Sequence, residues 1–173
     1  MIAGLSVSTF TALHVTLSLI AIASGVLVLL GTIRARKADL TAVFLLTTAA
    51  ASVTGFFFPS ARVGMGHVIG VGSLIILAPT VLALYRYRLA GRWRWVYLAG
   101  ATTVLYLNAF IAVWQAFDKI AVLHLLAPTP SVPPFVVAHL VVLAIAVTLG
   151  AFAGKRFPPG NHHANSESSG MSA

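Results

Sequence analysis

The 173-residue sequence has no cysteine and three carboxylates, and only 8% of its residues are charged. Without cysteine there are no disulfides, no thiolate metal sites and no thiol nucleophile, while the compartment stays open. The carboxylates are Asp39, Asp118 and Glu167, and none falls in the middle of an apolar run. Proton relays and cation pumps are built around a buried Asp or Glu, so an ion-coupled pump is disfavoured. A soluble domain carries about a quarter of its residues as charges. With 59% hydrophobic residues and a mean hydropathy of +0.97, the solvent of this chain is lipid.

Five apolar runs approach or reach the roughly 20 residues that cross a bilayer core. They are Leu13 to Ile33, Leu40 to Phe58, His67 to Leu84, Trp95 to Phe117 and Phe135 to Gly154. The loops between them are short, so the expected fold is all-α: one integral membrane bundle of five transmembrane helices over residues 1–157. A polar tail over 158–173, rich in Pro, Gly, Ser and Asn, reads as disordered.

A net charge of +8 raises the question of nucleic acid, and the placement of the charges answers it. Arg34, Arg36 and Lys37 follow the first run, Arg86, Arg88, Arg92 and Arg94 lie between the third and fourth, and Lys155 and Arg156 follow the fifth. All of these fall on one side, leaving Arg62 and Lys119 on the other. The positive-inside rule then places the N-terminus out and the C-terminus in. The excess is a topology signal that also meets anionic lipid, and no nucleic-acid motif accompanies it. No Lys or Arg precedes the first run, which is the wrong order for a cleaved signal peptide, so the run is read as retained.

Along the chain, Thr11, His14, Ser18, Ala21 and Gly25 share one face of the first helix, a small and polar stripe that lets a neighbour approach. Thr48, Ser52 and Gly55 repeat the pattern in the second, which ends in three phenylalanines, an interface anchor, before Pro59. Gly66 and Gly70 form a small-xxx-small pair in the third, and Pro79 frees the carbonyl of Ile75 and kinks the helix. The loop YRYRLAGRWRW interleaves arginine with tyrosine and tryptophan, an aromatic belt with basic anchors. In the loop before the fifth run, Ile120 to Leu126 is too short to span and lies along the surface as an interfacial helix. There is no internal repeat of the kind that marks inverted-repeat transporters.

Histidine supplies the candidate chemistry. Measured from the basic residues at 1.5 Å per residue, His14, His67 and His139 stand at heights of roughly 30, 28 and 24 Å on three different helices. Imidazoles at one level can ligate a transition metal or hold a haem b in a bundle core. The opposing reading is that each is an interfacial anchor, since histidine is amphipathic and these positions lie near the headgroups. No HxxxH or HxxE pair occurs on any helix, and His162 and His163 belong to the tail. Gln115 and Asn108, seven residues apart on one face of the fourth helix, stand at roughly 31 and 21 Å. With Asp118 they are candidates for lining a ligand pocket or orienting the histidines. For Asn108 the structural role, an amide that cross-links helices, is the favoured reading.

The segments TGFFFP (Thr54 to Pro59), YLNAF (Tyr106 to Phe110), WQAFDK (Trp114 to Lys119) and APTPSVPPF (Ala127 to Phe135) resemble a group of small uncharacterised bacterial multi-span inner-membrane proteins. The resemblance covers the chain up to about Phe157 and implies an inner-membrane location, with no activity or catalytic residue to carry over. In general architecture alone the chain is also similar to small haem-b bundles that exchange electrons with quinones, which place paired histidines on facing helices.

Three functions follow as expectations. The first is a membrane protein that binds a haem, a metal or another small ligand in the outer half of the bundle, with His14, His67 and His139 as the binding residues. The second is a non-enzymatic subunit or assembly partner, docking a membrane protein or a second copy through the outer loop 118–134. The third is a transporter of a small neutral or anionic solute.

Overall fold

Ser6 starts the first helix by accepting a hydrogen bond from the Thr9 amide at 3.1 Å, the arrangement that satisfies an otherwise orphaned N–H at a helix start. This places the start six residues ahead of the apolar run read from composition. Capping is decided by a single hydroxyl, which a hydropathy window averages away. The computed structural model describes residues 1–2, 4–31, 37–58 and 64–156, and of 37–39 the backbone alone. Arg34, Arg36, Arg62, His162, His163, Glu167 and the tail lie outside the described residues, as do the side chains of Lys37 and Asp39.

The described residues form α1 (Val7–Leu30), α2 (Lys37–Gly55), α3 (Met65–Val81), α4 (Trp93–Lys119), α5 (Ala121–Leu126) and α6 (Pro133–Arg156), with no strand among them. Within them, α1, α3 with its π-helical extension Leu82–Arg86, α4 and α6 are long and apolar enough to cross a membrane. The apolar part of α2, Leu40–Gly55, is shorter.

The molecule is organised around α4, which packs against α1, α3, α5 and α6, while α1 lies along α2 and α2 along α3. In lipid there is little hydrophobic gain from bringing helices together, so close packing at small residues has to hold them. On α1, Gly25 faces the fully buried Phe44 of α2, whose ring would lie 2.7 Å from an added Cβ. Gly100 of α4 is covered by Thr80 of α3, and Gly150 of α6 by Thr102 of α4. Of the pair in α3, Gly70 sits against Phe56 and the Ser52 carbonyl, whereas Gly66 faces open space. The α1 stripe divides in the same way: Ala21 is fully buried, but Thr11 is exposed and bonds back to the Val7 carbonyl at 2.8 Å.

Large apolar side chains such as Leu46 and Ile75 point outward, 69% and 66% exposed. In water this would be a liability, and in lipid it is the solvated face. Pro79 lies inside α3, and three residues later the backbone widens into the π-helical turn Leu82–Arg86. The turn closes with the Leu89 amide donating to the Ala83 carbonyl at 2.9 Å. Closure puts Arg88 and Leu89 at φ 47° and 59°, a left-handed conformation that side chains with a Cβ resist. Leu89 is turned inward against the main core cluster, and that packing offsets the backbone cost. Tyr87 stacks on Trp93 at 3.7 Å with the rings 3° from parallel, and Arg94 lies over the Trp95 ring.

Candidate functional site

His14 is half-buried between α1 and α2. The Thr54 hydroxyl gives its hydrogen to the Ala50 carbonyl at 2.7 Å, so its oxygen is free to accept from His14 Nδ1–H at 2.8 Å. The Phe58 ring meets the imidazole edge-on at 5.2 Å, and the ring lies beside Gly55. His67, at the start of α3, lies against Phe56 on the other flank of the same end of α2, with ring centroids 5.9 Å apart.

His139 is placed differently. It sits on α6, 8% exposed, between the rings of Phe110 at 4.4 Å and Phe135 at 4.2 Å. Its Nδ1 is 2.9 Å from the Phe135 carbonyl. A carbonyl only accepts, so Nδ1 carries the proton, and in the neutral ring Nε2 presents a lone pair. That Nε2 is buried and has no hydrogen-bond partner. An unsatisfied buried polar atom is costly, and in a packed helix pair it calls for a reason. The imidazole forms part of the wall of a cleft of about 200 Å³ between α4 and α6, with Tyr106, Phe110, Pro130 and Leu143 around it.

The three imidazoles therefore take separate partners. Among the described residues no group of three or more His, Asp or Glu side chains comes together as a metal site. Helical rise sets the height of a residue but not the direction in which its side chain leaves the helix, and the neighbours of His139 differ from those of His14 and His67. His14 and His67 flank α2, and His139 belongs to the α4–α6 seam.

Of the amide and acid candidates, Asn108 is buried and donates from Nδ2 to the Thr48 hydroxyl oxygen of α2 at 3.1 Å. Gln115 is exposed. Asp118 is 49% exposed and pairs with Lys119 at 2.7 Å. Neither lines the His139 cleft. His124, on the short helix α5, is exposed as well.

The larger cleft, about 400 Å³, opens at the opposite, basic end of the bundle. There the last turn of α1 and the first of α2 meet the π-helical turn, the start of α4 and the end of α6. Sequence reasoning concentrated on the histidine end and did not anticipate it. The available signal was the set of polar residues at run ends, Thr41, Tyr85, Tyr97 and Arg156, which spacing alone does not bring together. Comparisons with protein-family models, with curated proteins and with solved structures return no match for this chain.

Proposed function

We propose that this chain is a five-span membrane protein of a bacterial inner membrane, N-terminus out, that binds a small lipid-soluble ligand through His139. The observation that carries the reading is the buried, unpartnered Nε2 of an imidazole that helps to line an aromatic cleft and is held by the Nδ1 bond to the Phe135 carbonyl. A fixed tautomer with an unused lone pair is set up to receive a hydrogen-bond donor or to act as a single ligand to a metal. The cleft is smaller than the roughly 300–1,000 Å³ of an enclosed small-molecule pocket. It suits one ring or head of a ligand whose remainder lies in lipid. Among the described residues no group of three His, Asp or Glu side chains comes together, so a metal held by side chains alone has no support, and a cleft of about 200 Å³ is small for a haem. An organic hydrogen-bond donor is therefore the better match.

Protein purified in mild detergent is extracted and the extract analysed by mass spectrometry, alongside an absorption spectrum. The reading expects a stoichiometric small molecule that is lost in His139→Phe. A Soret band lost in the same variant would transfer the site to haem. Identical extracts from the two proteins, with no bound chromophore, would remove the reading.

A second reading, docking of a partner protein or a second copy through 118–134, draws on the exposure of Val122 and Leu125, at 74% and 83%. It expects a stoichiometric partner in mild detergent that is lost when Pro133 and Pro134 are changed.

A further inference from the structure

The cleft at the basic end joins two kinds of surface. Leu30, Leu84 and Leu89 make an apolar wall, and Thr41, Tyr85, Tyr97 and Arg156 supply polar groups. Tyr97 is 3% exposed, and a hydrogen bond ties it to Thr41, so this part of the lining is fixed. Arg156 is exposed on the last turn of α6, with its guanidinium 4.0 Å from the Phe152 ring. A guanidinium resting on an aromatic face keeps its hydrogen-bonding edge for a ligand.

Among the described side chains the one carboxylate is Asp118, which is paired with Lys119 at the far end of α4. That end lies about 37 Å along the helix from the start of α4. Arg88 flanks the wall residue Leu89, and Arg86, Arg92 and Arg94 belong to the same turn region. The volume, about 400 Å³, falls within the usual range for a ligand site.

We propose that this cleft is a binding site for an anionic glycerophospholipid, with part of an acyl chain against Leu30, Leu84 and Leu89 and the headgroup phosphate on Arg156. The shape matches an amphiphile: an oily slot with one cation, Arg156, at its edge and further arginines in the turn beside it, while the side chains of Lys37 and Asp39, just before the lining residue Leu40, lie outside those described. A phosphate takes a bidentate pair of bonds from a guanidinium, which a choline headgroup offsets with its own positive charge. The site lies in the opposite half of the bundle from His139 and does not depend on how that cleft is read.

The full chain in dodecyl maltoside is titrated with dioleoyl phosphatidylglycerol and observed by native mass spectrometry. Parallel titrations use dioleoyl phosphatidylcholine and inorganic phosphate. One phosphatidylglycerol should remain bound at about tenfold lower concentration than phosphatidylcholine requires, a difference of about 1.4 kcal/mol. Arg156→Gln should abolish that preference, and Arg156→Lys should keep part of it. Leu30→Trp, which fills the slot and leaves the charge unchanged, should weaken both lipids. Equal retention of the two lipids by the wild type overturns the proposal, as does a preference that survives Arg156→Gln. Binding of inorganic phosphate that Arg156→Gln abolishes and Leu30→Trp leaves intact also overturns it, because the ligand is then a free anion. If Leu30→Trp does not fold, the two exposed Arg156 variants still decide the outcome.

Discussion

Asn108 and Thr48 are 60 residues apart in sequence and joined by one buried hydrogen bond, from the amide of α4 to the hydroxyl of α2. The backbones of α2 and α4 seldom approach each other, and this bond joins them directly beside the shared core residues Phe44 and Leu105. Thr48→Val leaves the Asn108 amide buried with its donor unpaired, at a cost of about 1–2 kcal/mol. Asn108→Leu should cost a similar amount. The double variant should cost less than the sum, because the second change removes a group the first had already orphaned. Unfolding in mixed detergent micelles measures all three, and strictly additive losses would mean the bond contributes nothing.

Gly100 of α4 is in tight contact with α3, with Thr80 directly over the position a Cβ would take. Gly100→Ala should destabilise by about 1–3 kcal/mol, the usual cost of overpacking a tight contact. Adding Thr80→Ala should recover part of the loss, since it removes the atoms that clash. The melting temperature of the double variant should lie above that of Gly100→Ala alone.

His14 and His67 should be silent in metal analysis. Each already has its own neighbours, Thr54 and Phe58 for one and Phe56 for the other. Elemental analysis of His14→Ala and His67→Ala should match the wild type within error. Loss of a stoichiometric metal in either would show that these imidazoles converge in the folded protein in a way their present contacts do not suggest.

The absence of cysteine makes topology directly testable, because any introduced thiol is the only one. With the N-terminus out, His124→Cys on α5 should react with a membrane-impermeant maleimide in intact cells. Arg88→Cys, in the turn before α4, should react only after the membrane is opened. Reversed labelling inverts the orientation, and labelling of both from outside breaks the five-span arrangement.

Much of the helical framework was legible because apolar runs and small-residue spacing are local signals. Gly25, Gly55 and Gly70 could be marked as contact points from spacing alone, and Ile120 to Leu126 as a short separate helix. Azimuth and neighbour were not legible. Asn108 and Gln115 do share a face of α4, yet one is buried and the other exposed. The reason lies on α2, which runs parallel to α4 and ends at Gly55, seven residues past Thr48, as Gln115 is seven past Asn108. The same stripe thus loses its partner helix one heptad further on. The basic-end cleft was hidden for a related reason. It is assembled from the ends of elements far apart in sequence, and Leu89 reaches it through a left-handed backbone that no leucine announces.

The unequal lengths of α2 and α4 bear on the membrane itself. The 27 residues of α4 extend about 40 Å and the 19 of α2 about 28 Å, against a hydrocarbon core near 30 Å. Embedded as five spans, the bundle has a long central post, sheltered by its neighbours, and a shorter helix α2 beside it. In that arrangement α2 nearly matches the hydrocarbon core and α4 exceeds it by about 10 Å. The overhang carries the two ends of α4, with Arg94 at one and Asp118 and Lys119 at the other, past the hydrocarbon into the headgroup layers, so the longest helix is moored in polar surroundings at both ends.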